Sequence, residues 1–217
     1  MQDLSLERPY QLMAAITWHK FMDFSINQLS KKIKDAMQDT KVWTKECPVS
    51  FEQLRILDIF HYEFDQNLKS GQIIVNEIIA IDTINIFKRL VDIKFPIYSV
   101  IPIHEFSGDD DLSLGKNNCS CFNFRKIEGS NLLSMHSYGL AIDINPLQNP
   151  FIKINDDKTV QILPKEGVNY LNRNNIRQGM VEPIVTIFEV NGINEWGGNW
   201  NTPIDYHHFQ KPRSSVT

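Results

Sequence analysis

Two short stretches of this 217-residue chain constrain its fold most: SMHSYGLAID at Ser134–Asp143 and EWGGNWNTPIDYHHF at Glu195–Phe209. In the first stretch, Gly139 lies between His136 and Asp143, a spacing typical of two side chains on either side of a bend that leads into a strand. The apolar run that follows Gly139 favours a short buried strand. We therefore expect Asp143 to project from the end of that strand.

The second stretch supplies a further histidine and a further carboxylate, His208 and Asp205. Zn²⁺ accepts imidazole and carboxylate ligands together, and two histidines with one acid leave a fourth position free for water, as in catalytic zinc sites. The metal lowers the pKa of such a water to about 7. We expect His136, Asp143 and His208 to hold one zinc ion per chain, with Asp205 as the general base.

Composition excludes several classes of function. The chain is long enough to bury a sizeable core, and 42% of its residues are hydrophobic. Its formal net charge of −4 argues against a surface that neutralises nucleic-acid phosphates. The longest apolar stretch, Ile73–Ile81, is interrupted by Asn76 and Glu77, so no segment approaches the roughly 20 residues of a membrane span.

The pattern of apolar residues predicts two regions, an N-terminal helical extension over residues 1–46 and a catalytic domain over residues 47–217. Apolar residues recur at helical spacing from Pro9 to about Asp39, which predicts an amphipathic helix. We expect this helix to pack on the catalytic domain or on a protein partner.

Within the catalytic domain, the pattern predicts helices beside a mostly antiparallel sheet, an α+β fold. Asn76 is a good N-cap for a helix that stops before Phe95. The other expected elements are strands near Phe51–Leu57, Gly71–Val75 and Ile97–Ile103, strands that carry Arg125 and Asp143, a helix at Glu182–Val190, and a last strand bearing His208.

The motifs together resemble a known family. The pattern S-x-H-x-x-G-x-A-x-D, followed by W-G-G-x-W and D-x-x-H-F, is similar to the zinc D-alanyl-D-alanine carboxypeptidases typified by VanY, whose relatives include L-alanyl-D-glutamate peptidases. The similarity extends upstream and covers roughly Val49 to Gln210. It implies a small, mostly antiparallel sheet with flanking helices, of the hedgehog/DD-peptidase type.

By this resemblance, the metal ligands are His136, Asp143 and His208, and the general base is Asp205. The arginine ahead of the first ligand matches Arg125, which would bind a substrate carbonyl or carboxylate and stabilise the oxyanion. A guanidinium suits this role because its donors are fixed and always charged.

One departure from the family pattern is His207, beside the proposed ligand His208, so the ligand assignment is open to a slip by one residue. Alternation along a strand would send these neighbours to opposite faces. Only one of the two would then reach the metal.

Several other residues are candidates for weaker roles. Trp196 and Trp200 either line a substrate wall beside the paired glycines or serve as core residues of a tight turn. Ser134 is expected to orient the metal-binding turn or to bind substrate weakly. The acidic run 109–111 lacks the alternation of ligands found in a calcium-binding loop, so we expect a solvated loop there. For His104 we expect a structural role.

These observations and the resemblance predict a zinc metallopeptidase that hydrolyses peptidoglycan stem peptides beside D-Ala. Two alternatives remain: an endopeptidase that cuts cross-links or the L-Ala-D-Glu bond, and a non-catalytic zinc-stabilised module that binds cell wall. Asp3, Glu7 and Arg8 interrupt the start of the chain, so no cleavable signal peptide is expected there. We expect action outside the cytoplasm, with an export signal or anchor absent from this chain or with another export route.

Overall fold

The computed structural model describes residues 22–216, and its first sheet is antiparallel, in the order β1-β2-β3. The strands are β1 (Ser25–Gln28), β2 (Leu54–Tyr62) and β3 (Leu68–Asn76), and helix α1 (Lys31–Asp39) lies between the first two along the chain. Helix α2 (Ala80–Asp92) follows β3 and packs against β2.

Asn76 connects this sheet to the rest of the fold, and its predicted role as a cap is confirmed. Its side-chain oxygen accepts a hydrogen bond from the Ile78 amide at the start of a 3-10 turn that leads into α2. Its side-chain nitrogen donates to the Tyr138 carbonyl at 3.0 Å, and its backbone N–H donates to Gly139 at 2.9 Å. Helix α2 ends before Phe95, as expected.

The second sheet carries the metal-ligand candidates. It consists of β6 (Ala141–Asp143), β11 (His208–Gln210) and β9 (Glu195–Trp196), antiparallel, with β11 in the middle. The register places His208 directly opposite Asp143. Residues opposite each other in an antiparallel pair have Cβ atoms about 5 Å apart, so pairing brings together side chains that are distant in sequence.

A third antiparallel sheet stands beside this one. Its strands are β7 (Phe151–Ile154), β8 (Val160–Leu163) and β10 (Ile204–Asp205), in the order β10-β7-β8. Asp205 pairs with Phe151 at the edge of the β7–β8 hairpin. The remaining elements are the short parallel pair β4 (Ser99–Val100) and β5 (Asn118–Cys119), and the helices α3 (Asp110–Gly115) and α4 (Val185–Val190).

One hydrophobic core joins the sheets. Phe87 of α2 lies in the same buried cluster as Ile142 of β6 and Phe209 of β11, and the Phe188 ring of α4 stacks on Phe209 at 3.9 Å. The strands that bear the site are therefore held by buried apolar contacts to the first sheet and its helix. Small antiparallel sheets with helices agree with the predicted α+β class, although the strands form three such sheets and a parallel pair instead of one sheet.

The predicted N-terminal helix is wrong over part of its length. Residues 9–21 lie outside the described residues. Within residues 22–39, Ser25–Gln28 form a strand and Lys31–Asp39 are helical. Strand β1 forms because β2 offers it an unpaired edge, where Ile26 faces Leu57 in the register. This pairing outweighs the helical spacing of the apolar residues.

Residues 22–46 also pack closely on the sheet. Met37 of α1 is buried in a second core cluster with Leu54 and Ile56 of β2. The boundary after residue 46 stays a prediction.

Three further expectations need correction. The strand predicted at Ile97–Ile103 is reduced to Ser99–Val100, because the chain turns at Pro102 into a 3-10 turn. Arg125 lies outside the strands, since its backbone N–H and carbonyl both bond the Ser137 hydroxyl, at 2.9 and 2.7 Å. The helix predicted at Glu182–Val190 begins as a 3-10 turn and is α-helical only from Val185.

No helix among residues 22–216 has the length and apolar character needed to cross a membrane.

Candidate metal centre

His136 lies in a 3-10 turn at the bend predicted from the sequence. The turn, Met135–Tyr138, begins after Ser134, whose hydroxyl accepts a hydrogen bond from the His136 amide at 3.3 Å. It ends at Gly139, which has a left-handed φ of 66°. A Cβ at Gly139 would stand 2.7 Å from the Asn76 nitrogen, so both the backbone conformation and the close approach require glycine.

The structure brings together the side chains of His136, Asp143 and His208. The His136 Nε2 atom lies 3.2 Å from Asp143 Oδ2 and 3.1 Å from His208 Nδ1, and His208 Nδ1 lies 3.1 Å from Asp143 Oδ1. All three residues are buried, with the ligand atoms within 4.8 Å of one another. This arrangement can hold a metal ion, although the role of each residue as a ligand stays a prediction.

A neighbouring backbone carbonyl orients the His136 imidazole for metal binding. His136 Nδ1 lies 2.5 Å from the Cys121 carbonyl oxygen. A carbonyl only accepts hydrogen bonds, so Nδ1 carries the proton and the Nε2 lone pair faces Asp143 and His208. An outer hydrogen bond of this kind commonly fixes metal-binding histidines. The donor set therefore fits a zinc ion.

The Asp143 carboxyl is held in its ionised form. Complete burial raises its pKa, but the nearby imidazoles, chiefly those of His136 and His207, outweigh that effect. The net result is a pKa well below the ordinary value. An anionic ligand is therefore in place between the two histidines.

The pKa of the Asp205 carboxyl is shifted in the opposite direction. Burial raises the pKa of its carboxyl, and the nearby histidines oppose this shift only in part. Its Oδ1 atom is 3.0 Å from His207 Nε2 but makes no well-aligned hydrogen bond to the described residues. A buried carboxylate with a raised pKa and an uncommitted oxygen is a stronger proton acceptor than an exposed one.

His207 does not lie where strand alternation would place it. Strand β11 begins at His208, so His207 belongs to the preceding turn and escapes the alternation. Its Nδ1 contacts the Asn149 carbonyl at 2.8 Å, and its Nε2 lies 4.0 Å from Asp143 Oδ2. The imidazole that joins the three-residue cluster belongs to His208, while His207 stands beside Asp205.

Arg125 forms an ion pair and also lines the cleft above the metal-ligand cluster. Its Nε atom lies 3.1 Å from Asp110 Oδ2, and the other oxygen of Asp110 accepts from the Asn123 side chain at 3.2 Å. The solvated loop expected at 109–111 is therefore wrong, because Asp109 caps α3 and Asp110 holds Arg125. No sequence pattern marked Asp110 as a partner of the arginine.

The two tryptophans have different roles. The Trp196 indole donates to the Tyr206 carbonyl at 2.9 Å and stacks on Phe209, away from the cleft lining. Its predicted place in a substrate wall stays a prediction, and the indole N–H is satisfied inside the protein. Trp200 lines the cleft, with its ring 5.4 Å from that of His208.

The paired glycines allow the backbone to approach these groups closely. A Cβ at Gly197 would stand 2.5 Å from the Asp205 carbonyl oxygen, and one at Gly198 would stand 2.3 Å from the Trp196 ring. Side chains at either position would displace Asp205 or the indole.

A cleft of about 630 Å³ opens over the cluster. The β7–β8 hairpin forms one wall, and the segment that runs from Arg125 to Met135 contributes to another. Its charged lining residues are Asp110, Asp111, Arg125, Lys126, Glu128, Lys153, Asp205 and Arg213. Ser134 also lines it, beside its role in capping the His136 turn. The predicted structural role of His104 stays untested.

Gln210 and Glu195 extend the site beyond the residues singled out in the sequence. His208 Nε2 contacts Gln210 Oε1 at 2.8 Å, and Gln210 Nε2 donates to Glu195 Oε2 at 2.6 Å. Alternation along β11 places His208 and Gln210 on one face and could have indicated the glutamine. Glu195 depends on the pairing of β9 with β11, which the sequence does not specify.

The model of a family described as D-alanyl-D-alanine carboxypeptidase matches residues 128–211. No curated protein and no solved structure matches the chain. The matched segment contains the whole cluster of His136, Asp143 and His208, and also Asp205, while Arg125 lies just before it. The chain is thus similar to this peptidase family over the part that carries the candidate metal centre.

Proposed function

We propose that this protein is a zinc peptidase that hydrolyses stem-peptide bonds of peptidoglycan, as a carboxypeptidase that releases the terminal D-Ala. The observation that carries the proposal is the buried convergence of His136, Asp143 and His208 beside Asp205, within the segment similar to D-alanyl-D-alanine carboxypeptidases. Two histidines and one carboxylate are a ligand set of catalytic zinc sites.

A zinc ion held by these ligands would polarise the scissile carbonyl and lower the pKa of a coordinated water. Asp205 accepts the proton of the attacking water and delivers it to the leaving amine. Its raised pKa supports the first transfer, since a weaker acid has a stronger conjugate base. His207, 3.0 Å from the carboxylate, confines Asp205 to this side of the cleft.

Arg125 and Trp200 bind and orient the substrate. The guanidinium of Arg125 presents fixed donors toward the cleft, where they can hold a substrate carbonyl or carboxylate. Trp200 offers an apolar surface beside His208 for the peptide chain. Arg125 thereby stabilises negative charge that develops on the carbonyl oxygen.

A second candidate is an endopeptidase that cuts a cross-link or the L-Ala-D-Glu bond. The contact of Arg125 with Asp110 favours this reading, because a guanidinium already paired with an internal carboxylate is a poorer receptor for a terminal carboxylate. A non-catalytic wall-binding module is disfavoured by Asp205, since binding alone has no need of a proton acceptor beside the ligand cluster.

The test is mass spectrometry of purified wall fragments incubated with the zinc-loaded protein, with and without a chelator. Free D-Ala supports the carboxypeptidase, shorter stems or opened cross-links support the endopeptidase, and unchanged fragments contradict both. An Asp110→Asn variant sharpens the choice. If Arg125 binds a terminal carboxylate, its release from Asp110 should lower KM for D-Ala release.

Because peptidoglycan lies outside the cytoplasm, we propose that the protein acts there. This location belongs to the proposal, as does a protein partner bound through the N-terminal segment.

A further inference from the structure

Three side chains on one face of the second sheet form a chain of hydrogen bonds that ends at the metal-ligand cluster. His208 and Gln210 are two residues apart in β11, and Glu195 of β9 pairs with Gln210 in the register. The contacts run from Glu195 Oε2 to Gln210 Nε2 at 2.6 Å and from Gln210 Oε1 to His208 Nε2 at 2.8 Å. Gln210 and His208 are both buried.

The direction of each hydrogen bond in this chain follows from the chemistry of Glu195. A carboxylate offers only acceptors, so the Gln210 amide must turn its NH₂ group toward Glu195. A flipped amide would set its carbonyl oxygen against the carboxylate at 2.6 Å, which is repulsive. The Gln210 oxygen therefore faces His208, and the His208 Nε2 atom must carry the proton.

A neutral imidazole protonated at Nε2 has its lone pair at Nδ1. Nδ1 is the His208 atom that lies 3.1 Å from both His136 Nε2 and Asp143 Oδ1. The lone pair thus faces the other ligand atoms of the cluster. Because Gln210 and His208 are buried, bulk water does not readily replace the amide as the partner of Nε2.

We propose that Glu195 and Gln210 are positioning residues that fix the Nε2-protonated tautomer of His208 and so make Nδ1 its metal-binding atom. This inference rests on the proposed zinc site and extends it to two residues that are not among the proposed metal ligands. Loss of an outer hydrogen bond of this kind typically weakens metal affinity by about 10- to 100-fold.

The tautomer is tested first, on the zinc-loaded protein. Nitrogen-15 NMR of the histidine-labelled chain distinguishes a His208 ring that binds through Nδ1 and carries its proton on Nε2 from the reverse arrangement. We expect His208 to be protonated at Nε2 in the wild type and to lose this preference in Gln210→Leu. Protonation at Nδ1 in the wild type would overturn the inference. A matched control is Gln148→Leu, which removes another buried amide, one that bonds Asn117 and not the cluster.

Zinc affinity, measured by competition with a chelating indicator, is the second readout. Gln210→Leu should bind zinc about 10- to 100-fold more weakly than the wild type, and Gln148→Leu should bind it equally well. Glu195→Gln should also weaken zinc binding. An amide at position 195 can donate as well as accept, so it no longer fixes the orientation of the Gln210 amide. This nearly isosteric variant carries the test if Gln210→Leu fails to fold.

The possible results separate the two proposals. Unchanged zinc affinity in the folded variants would overturn the positioning role of Glu195 and Gln210 while leaving the peptidase intact. A wild type that binds no zinc would contradict the proposed function and, with it, the positioning role that rests on that function.

Discussion

At the residue scale, Asp205 and Asp143 are two buried carboxyl groups, close to the same histidines, with opposite shifts in pKa. Asp143 lies among imidazoles that keep it anionic, whereas burial dominates at Asp205. Where the surroundings shift the pKa values of two carboxyl groups in opposite directions, the two groups commonly have different roles in the chemistry of a site. Asp143 is suited to hold a cation and Asp205 to exchange a proton.

Asp205→Asn removes the proton acceptor while keeping the size of the side chain. We expect turnover of wall peptides to fall by about 10²- to 10⁴-fold, the usual contribution of a general base. Zinc content should stay at the wild-type level, measured by elemental analysis. Asp65→Asn, in an exposed turn, is the control. A rate within a factor of a few of wild type would remove Asp205 from the chemistry.

His207 and His208 are neighbours with different predicted effects. His208→Ala and His136→Ala should each abolish stoichiometric zinc binding, because the remaining pair of ligands is too weak. His207→Ala should keep the zinc and lower the rate, since this imidazole lies 3.0 Å from Asp205 and is not one of the three residues of the cluster. Zinc loss in His207→Ala together with retention in His208→Ala would mean that the ligand assignment is wrong by one residue.

At the scale of elements, the turn that carries His136 depends on Gly139. Gly139→Ala should destabilise the protein by more than the cost of a left-handed residue, about 1–2 kcal/mol, because the new methyl group also meets Asn76. Urea denaturation measures the free energy of unfolding. The control is Gly115→Ala in α3, where a Cβ meets no atom within 4 Å. Equal stability of the two variants would contradict this account of the turn.

The elements also separate what the sequence predicts from what it leaves open. Asn76, Gly139 and the strand at Asp143 were predictable, because capping, bends and short apolar runs are local signals. Strand β1 was not, because its formation depends on the free edge of β2 and not on its own residues. Arg125 was indicated by the resemblance alone, and its partner Asp110 only by the structure.

The site residues also differ in how far the sequence alone predicts them. The pairing of Asp143 with His208 comes from the register of β6 and β11, which a motif implies but does not demonstrate. For Trp196, the neighbouring glycines left open both a substrate wall and a core position in a tight turn. Its indole bonds a backbone carbonyl inside the protein.

At the scale of the whole molecule, buried thiols link stability to pH. Burial, reinforced by the charge of Asp143, raises the pKa of Cys119 from 9.0 to about 12. In the unfolded chain this thiol ionises near its ordinary pKa, so its contribution is complete below pH 9 and is lost as pH rises toward 12. The free energy of unfolding should fall by about 1.4 kcal/mol per pH unit for such a thiol.

Comparison with a Cys119→Ala variant isolates this effect from other groups that titrate at high pH. Urea denaturation at pH 8, 9, 10 and 11 should give a shallower decline for the variant than for the wild type. Parallel declines would show that Cys119 ionises alike in both states.

The proposed function depends on one ion held by three residues from two distant parts of the chain. Crystals of the zinc-loaded protein, with anomalous diffraction measured at the zinc edge, test this directly. We predict a single zinc ion about 2.0–2.2 Å from His136 Nε2, His208 Nδ1 and an Asp143 oxygen, with its remaining position open to the cleft. An ion elsewhere, or one enclosed by four protein ligands, would contradict the proposed hydrolase.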